Sequence, residues 1–267
     1  ICEGLVGSEM CIRDSLHSRT RTQLNCTAFV ENLESELSKP LSAYGPIDIP
    51  CTKDLMSAYE EALQRDKTLP EAEVKKYASL VGKLIFAPSA GRLDATYAIN
   101  ILARCLTFPT ARMFTYAKKV IVYLLQHRDR GITYDAHAPR AGELHAYSDS
   151  DFNVSHSTTG AAILYGGAAV IYHSKRQQSI ALSSTEAEIF AASQAALEII
   201  YFRGLAADLG IDVSEPTTLH VDNMGAVAIA KDKVSCQRSR HIHRRYLKLR
   251  EFVATKQIRV EYIKTCL

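Results

Sequence analysis

Three acidic residues stand where separate elements of a sheet could bring them together. Asp149 lies in Tyr147-Ser148-Asp149-Ser150-Asp151, Asp222 in His220-Val221-Asp222-Asn223, and Glu188 in Ser183-Ser184-Thr185-Glu186-Ala187-Glu188. Magnesium prefers oxygen ligands in near-octahedral geometry and often uses a few carboxylates plus a substrate phosphate. Acids converging from distant parts of the chain are what such a site requires. Each residue also has an ordinary explanation. An Asp at a strand end commonly serves a turn or a helix cap, the plainer reading of Asp222 taken alone. Asp151 admits the same reading and, two residues on, shares a face with Asp149. Glu186 follows Ser183 by three residues and Glu188 follows Thr185 by three, so either fits a capping box. Residues two apart on a helix point to different sides, so only one of the two glutamates can face a site. The face of Glu188 continues through Ala191, Ala192, Ala195 and Ile199, small and apolar, which suits close approach to a sheet. Spacing leans towards Glu188 without settling it, and structural roles explain the three acids about as well as a metal does.

The elements that must position these acids follow from periodicity. Leu144–Ser148, Ala161–Tyr165 and Ala168–His173 read as strands, the last two joined by the tight turn Gly166-Gly167. Ser183–Leu209 reads as a long helix ended by Gly210. Thr217–Val221 is a fourth strand, Met224–Lys231 a short helix, Arg240–Thr255 another helix and Ile258–Ile263 a fifth strand. Three strands, a helix, a strand, helices and a strand predict an α/β fold with one mixed sheet. Upstream, Asp54–Arg65, Glu73–Phe86, Asp94–Leu106 and Phe114–Gln126 carry helical patterns. The expected organisation is therefore a tail or translation artefact over 1–15 and a proline-punctuated, linker-like stretch with local helix over 16–72. A small helical segment over 73–140 and a sheet domain over 141–267 follow.

Composition narrows the function classes. The 267 residues carry 32 basic and 29 acidic side chains, a net charge of +3 that implies no nucleic-acid partner by itself. Apolar residues make up 47%, ordinary globular usage. No stretch approaches the roughly 20 apolar residues that span a bilayer, so neither a membrane-spanning segment nor a membrane partner is expected. The seven cysteines are scattered without a Cys-x-x-Cys pair, which argues against structural zinc or a disulfide framework. No secretory signal pattern is present, and an intracellular site, in a cytoplasmic particle or the nucleus, is expected rather than secretion.

Taken in order, the strings Tyr147–Asp151, Ala181–Glu188 and Val221-Asp222-Asn223 resemble the ribonuclease H domain of copia-type LTR retrotransposon Pol polyproteins. Tyr77-Ala78-Ser79-Leu80-Val81-Gly82-Lys83-Leu84 and Asn100-Ile101-Leu102-Ala103-Arg104 are similar to the connection between that domain and the reverse transcriptase. The resemblance implies a ribonuclease H-like mixed five-stranded sheet with flanking helices, acting on the RNA strand of RNA–DNA hybrids. It implies that Asp149, Glu188 and Asp222 are catalytic and metal-binding, leaving Glu186 to the helix cap. Two Mg2+ ions (Mn2+ can substitute) roughly 4 Å apart would serve an in-line displacement at phosphorus. RNA would be told from DNA by its 2′-hydroxyls. The implied partners are the hybrid and the upstream reverse transcriptase palm of the same polyprotein.

Around the acids, Ser184, Thr185 and Asn223 are expected to touch the hybrid. Lys231–Arg250 holds eight basic residues, and on the helix from Arg240 the side chains of Arg240, Arg244 and Lys248 lie opposite Ile242, Tyr246, Leu249 and Val253. That stripe could follow phosphates, or be a solvated basic face. The family continues beyond Lys264-Thr265-Cys266-Leu267 into a helix bearing a fourth catalytic Asp. The expectation is therefore a fragment whose own cleavage is impaired, or a remnant that only binds nucleic acid. No polymerase activity is expected.

Overall fold

The computed structural model describes residues 14–152, 156–231 and 240–264, with the side chains of 14–16 and 240–246 outside that description. The chain divides into two units at residues 133/134, not at 140/141.

In the first unit β1 (Asp14–His17) pairs antiparallel with β2 (Arg21–Asn25); the third strand of their sheet, β3 (Ile132–Asp135), contains the 133/134 boundary. Asp14 and Ser15 thus belong to a strand, while the rest of the expected tail lies outside the described residues. Six α-helices follow β2: α1 (Thr27–Asn32), α2 (Lys53–Leu63), α3 (Glu71–Leu84), α4 (Phe86–Ser89), α5 (Thr96–Ala103) and α6 (Ala111–Gln126). Helix α6 starts earlier than its apolar stripe because Thr110 caps it, its hydroxyl accepting the Met113 N–H at 3.3 Å.

The linker-like reading of 16–72 is corrected by the core. Cys26, Val30 and Leu33 are buried in one cluster with Leu55, Ala58, Tyr59, Ala62, Tyr77, Ile99 and Ile121. Positions 55, 58, 59 and 62 follow the i, i+3, i+4, i+7 spacing of a helix face, and burying that face beside the later helices makes the stretch part of the unit.

The second unit is built on a five-stranded sheet of order β6-β5-β4-β7-β8. Its strands are β4 (His145–Asp151), β5 (Thr158–Tyr165), β6 (Ala168–Arg176), β7 (Thr217–Val221) and β8 (Ile258–Tyr262). The first three form an antiparallel meander, whereas β7 pairs parallel with both β4 and β8. Gly166 and Gly167 take positive φ, 67° and 79°, at the β5–β6 turn, the conformation a two-residue hairpin needs for strand twist. The helices are α7 (Ser184–Asp208), α8 (Met224–Lys231) and α9 (Arg240–Ala254). Ala192, Ala195, Ala196 and Ile199 of α7 are buried in one cluster with Ala146 of β4, Ile163 of β5, Leu219 and Val221 of β7 and Val260 of β8. This is the mixed sheet with flanking helices expected from the sequence. Helix α7 is long and apolar enough to cross a bilayer by length and composition, which corrects the expectation that no stretch approaches that length; half of that apolar stretch is buried inside the protein. Its first turns bury Glu186 and Glu188 among core alanines.

Candidate metal centre

Sheet register brings the first two acids together. Tyr147 pairs with His220 and Ser148 with Val221 in the parallel β4–β7 ladder, so the next residues, Asp149 and Asp222, sit side by side. Parallel pairing puts the C-terminal ends of the two strands at one end of the sheet. Strand β4 runs on through Asp151, so Asp149 lies within the strand rather than after it.

Glu188 comes from the helix. Ser183 caps α7, its hydroxyl accepting the Glu186 N–H at 3.2 Å, and Glu186 Oε2 reaches back to accept the Leu182 N–H at 2.9 Å. Glu186 is therefore committed to the helix start. Glu188, two residues further round, faces the sheet, where its Oε1 accepts the Ser150 N–H at 3.1 Å.

One ligand atom each from Asp149, Glu188 and Asp222 lie within 4.8 Å of one another. Close contact between carboxylates is costly without a cation. Burial, together with the charges of Asp222 and Asp149, pushes the Glu188 carboxyl up to about 8. Partial burial and the Asp222 charge likewise raise the Asp149 carboxyl above its ordinary range. Glu188 Oε2 is buried with no hydrogen-bond partner among the described residues. An orphaned carboxylate oxygen facing two further acids is a donor set suited to a hard divalent cation, and these residues fit one.

The remaining expected site residues divide. Thr185 is half-buried and packs closely on α8: a Cβ added at Gly225 would lie 3.2 Å from Thr185 Cγ2 and 3.1 Å from Asn223 Oδ1. Asn223 Oδ1 accepts the Ala226 N–H at 2.9 Å, so it holds the start of α8 beside Asp222. Ser184 is exposed. Lys248 is exposed but its ammonium bonds Glu251 at 3.0 and 3.1 Å and sits 4.8 Å from the centre of the Phe252 ring. The side chains of Arg240 and Arg244 lie outside the described residues.

Sequence reasoning passed over Gln177, in the loop after β6. Its amide bonds Ser150 Oγ, Thr159 Oγ1 and the Ala187 carbonyl beside the acids. A lone glutamine in a loop has no periodic signature, and only its burial exposes the role.

With a ribonuclease H-type sheet and a three-carboxylate cluster described, comparison with known proteins gives the family. No known family profile matches the chain. It is 31% identical over 194 residues to the retrovirus-related Pol polyprotein from transposon RE2 of Arabidopsis thaliana, covering 71% of this chain and 13% of that protein. Among solved structures it is similar to RNase H1 from the archaeon Halobacterium salinarum NRC-1, with 16% identity, 46% of this chain, 86% of the other and a TM-score of 0.33. It is also similar to the foamy viral protease-reverse transcriptase in complex with dsDNA, with 12% identity, 96% of this chain, 46% of the other and a TM-score of 0.48. Those likenesses are faint, and the fold is defined by the strand order and directions above. The chain belongs to the Pol polyproteins of copia-type transposons. It spans 13–14% of the length of the plant polyproteins it matches.

Proposed function

We propose that the sheet unit hydrolyses the RNA strand of RNA–DNA hybrids during retrotransposon reverse transcription, with Asp149, Glu188 and Asp222 holding two Mg2+ ions. The observation that carries this reading is the approach of the three carboxylates to within 4.8 Å at the end of the sheet. When bound, such a pair of ions activates water and stabilises the departing oxygen in an in-line displacement.

The protein's own residues set the geometry. Strands β4 and β7 fix Asp149 and Asp222 through backbone pairing, and the Ser150 N–H orients the Glu188 carboxylate. Ser184 and Thr185 at the start of α7, with Asn223 at the start of α8, flank the acids as contacts for the hybrid. Arg240, Arg244 and Lys248 supply a weaker, phosphate-following contribution. The hybrid itself would come from the reverse transcriptase palm of the same polyprotein, a partner supported by the Pol polyprotein relatives.

The test is incubation of the full chain, and of a form extended by the family's next helix, with a labelled hybrid and Mg2+, beside Asp149→Asn. Metal-dependent cutting of the RNA strand is expected of the extended form and little of it from the chain by itself. Asp149→Asn in the extended form should lower it more than about 100-fold, since even outer-shell changes cost 10–100-fold. Hybrid binding with no metal-dependent cutting by the extended form would replace the nuclease by a nucleic-acid-binding remnant.

A further inference from the structure

Gln177 is buried, 7% exposed, yet belongs to neither strand nor helix. Its two amide hydrogens meet three acceptors: the Ala187 carbonyl at 3.0 Å, Thr159 Oγ1 at 3.0 Å and Ser150 Oγ at 3.2 Å. A backbone carbonyl can only accept, so the nitrogen, not the oxygen, must face α7. The main chain of Gln177 is fixed as well, its N–H donating to the Ser157 carbonyl at 2.8 Å. Ser150 and Thr159 are directly paired across β4 and β5. One side chain therefore ties two strands of the sheet to the second turn of α7.

The tied residues are the neighbours of the acids. Ala187 immediately precedes Glu188. Ser150 immediately follows Asp149 and gives its N–H to Glu188 Oε1. Packing alone does not explain the residue, because the Gln177 Oε1 is buried without a partner among the described residues, which costs stability. An apolar side chain of equal volume would fill the space without that cost. What it could not do is hold β4 and α7 in one register at the point where two carboxylates from different elements must converge. Ligand constellations need such support to within about 0.5 Å.

We propose that Gln177 is a positioning residue for the metal centre, setting the separation of Asp149 and Glu188 through Ser150 and Ala187. This rests on the metal-binding reading of the three acids. The variant that isolates the claim is Gln177→Met, which keeps the volume and removes the amide. Two measurements on the full chain separate the possibilities: Mn2+ affinity by paramagnetic resonance, and amide hydrogen exchange at Ser150 in metal-free protein.

The expected result is a loss of Mn2+ affinity of at least about tenfold, within the range for outer-shell changes. Faster exchange at Ser150 than at the other β4 amides should accompany it. An affinity within about twofold of the parent, with β4 exchange raised evenly or not at all, would show a merely structural residue and overturn the proposal. If the parent chain binds no Mn2+, the metal reading fails. Exchange at Ser150 then decides the positioning role by itself, selective acceleration upholding it and its absence refuting it. Should Gln177→Met not fold, Gln177→Glu keeps the shape, replaces the donor nitrogen by oxygen and is read in the same two ways.

Discussion

The two units bury charge in opposite ways. In the helical unit Arg92 is completely buried, and its guanidinium meets Asp94 at 2.8 and 3.1 Å and the Leu124 carbonyl at 3.2 Å. Tyr123 adds a hydroxyl to the same carboxylate at 2.6 Å. Burial pushes Asp94 up, but the bonds from Arg92 and Tyr123 outweigh it and hold the carboxyl below its ordinary range. In the sheet unit Glu188 is buried too, yet its near neighbours are two more acids and its carboxyl rises to about 8. One unit resolves its buried charge internally and the other leaves it for something to be brought in. Groups perturbed by burial and like charge in an open cluster are typical of functional sites, whereas the paired network is structural.

Breaking the internally resolved pair should have the largest effect. Asp94→Ala leaves Arg92 buried without its carboxylate, and the helical unit should lose about 2 kcal/mol, the scale of lost hydrogen bonds to a charged group, because Asp94 itself reaches solvent. Urea denaturation at pH 7 measures it. Because the folded carboxyl lies below its unfolded value, the stabilisation is present above that value, near 3.8, and is lost as pH falls through the folded one. The difference between parent and variant should therefore shrink in acid.

The opposite sign is expected in the sheet unit. A carboxyl raised from 4.5 to about 8 contributes stability that is fully present below 4.5 and lost as pH rises through 8. Glu188→Gln should accordingly stabilise the metal-free protein at pH 8–9 by about 1 kcal/mol, the scale of other activity-for-stability exchanges. The gain should vanish near pH 4.5, as followed by thermal melting.

Much of this contrast was legible in the sequence, and the parts that were not share a physical reason. The acids stood in recognisable strings; capping spacing fitted Glu186 and Glu188 alike, and the resemblance, not the spacing, assigned Glu188 to the site. The face Ala191, Ala192, Ala195, Ile199 foretold the helix packing on the sheet. What escaped were features without a repeating pattern. The core contributions of Cys26, Val30 and Leu33 come from a six-residue helix and its two ends, too brief to show a period. Asp149 looked like a residue beyond its strand because the polar run Ser148–Asp151 hides strand alternation, although Ser148 and Ser150 point into the unit. Gln177 is a single loop residue. The pairing of Lys248 with Glu251 sits at i, i+3 and was missed because Glu251 lies just past the basic run.

That pair gives the smallest expected effect. With its ammonium held by Glu251 and lying over Phe252, Lys248 has little free charge to offer phosphate. Lys248→Ala should change hybrid affinity by less than about threefold at moderate salt, measured by fluorescence anisotropy. A tenfold loss would move Lys248 into the binding surface proper and blur the line between structural and recruiting charges.

The most direct measurement is calorimetric titration of the full chain with Mn2+ at pH 6.5 and pH 9, for the parent and Asp222→Asn. Ligating carboxylates must be ionised. The parent should therefore bind more tightly at pH 9, release protons on binding at pH 6.5, and lose more than about 100-fold in affinity on Asp222→Asn. Affinity indifferent to Asp222→Asn, or no Mn2+ binding at either pH, would contradict the assignment of these three acids to a cation.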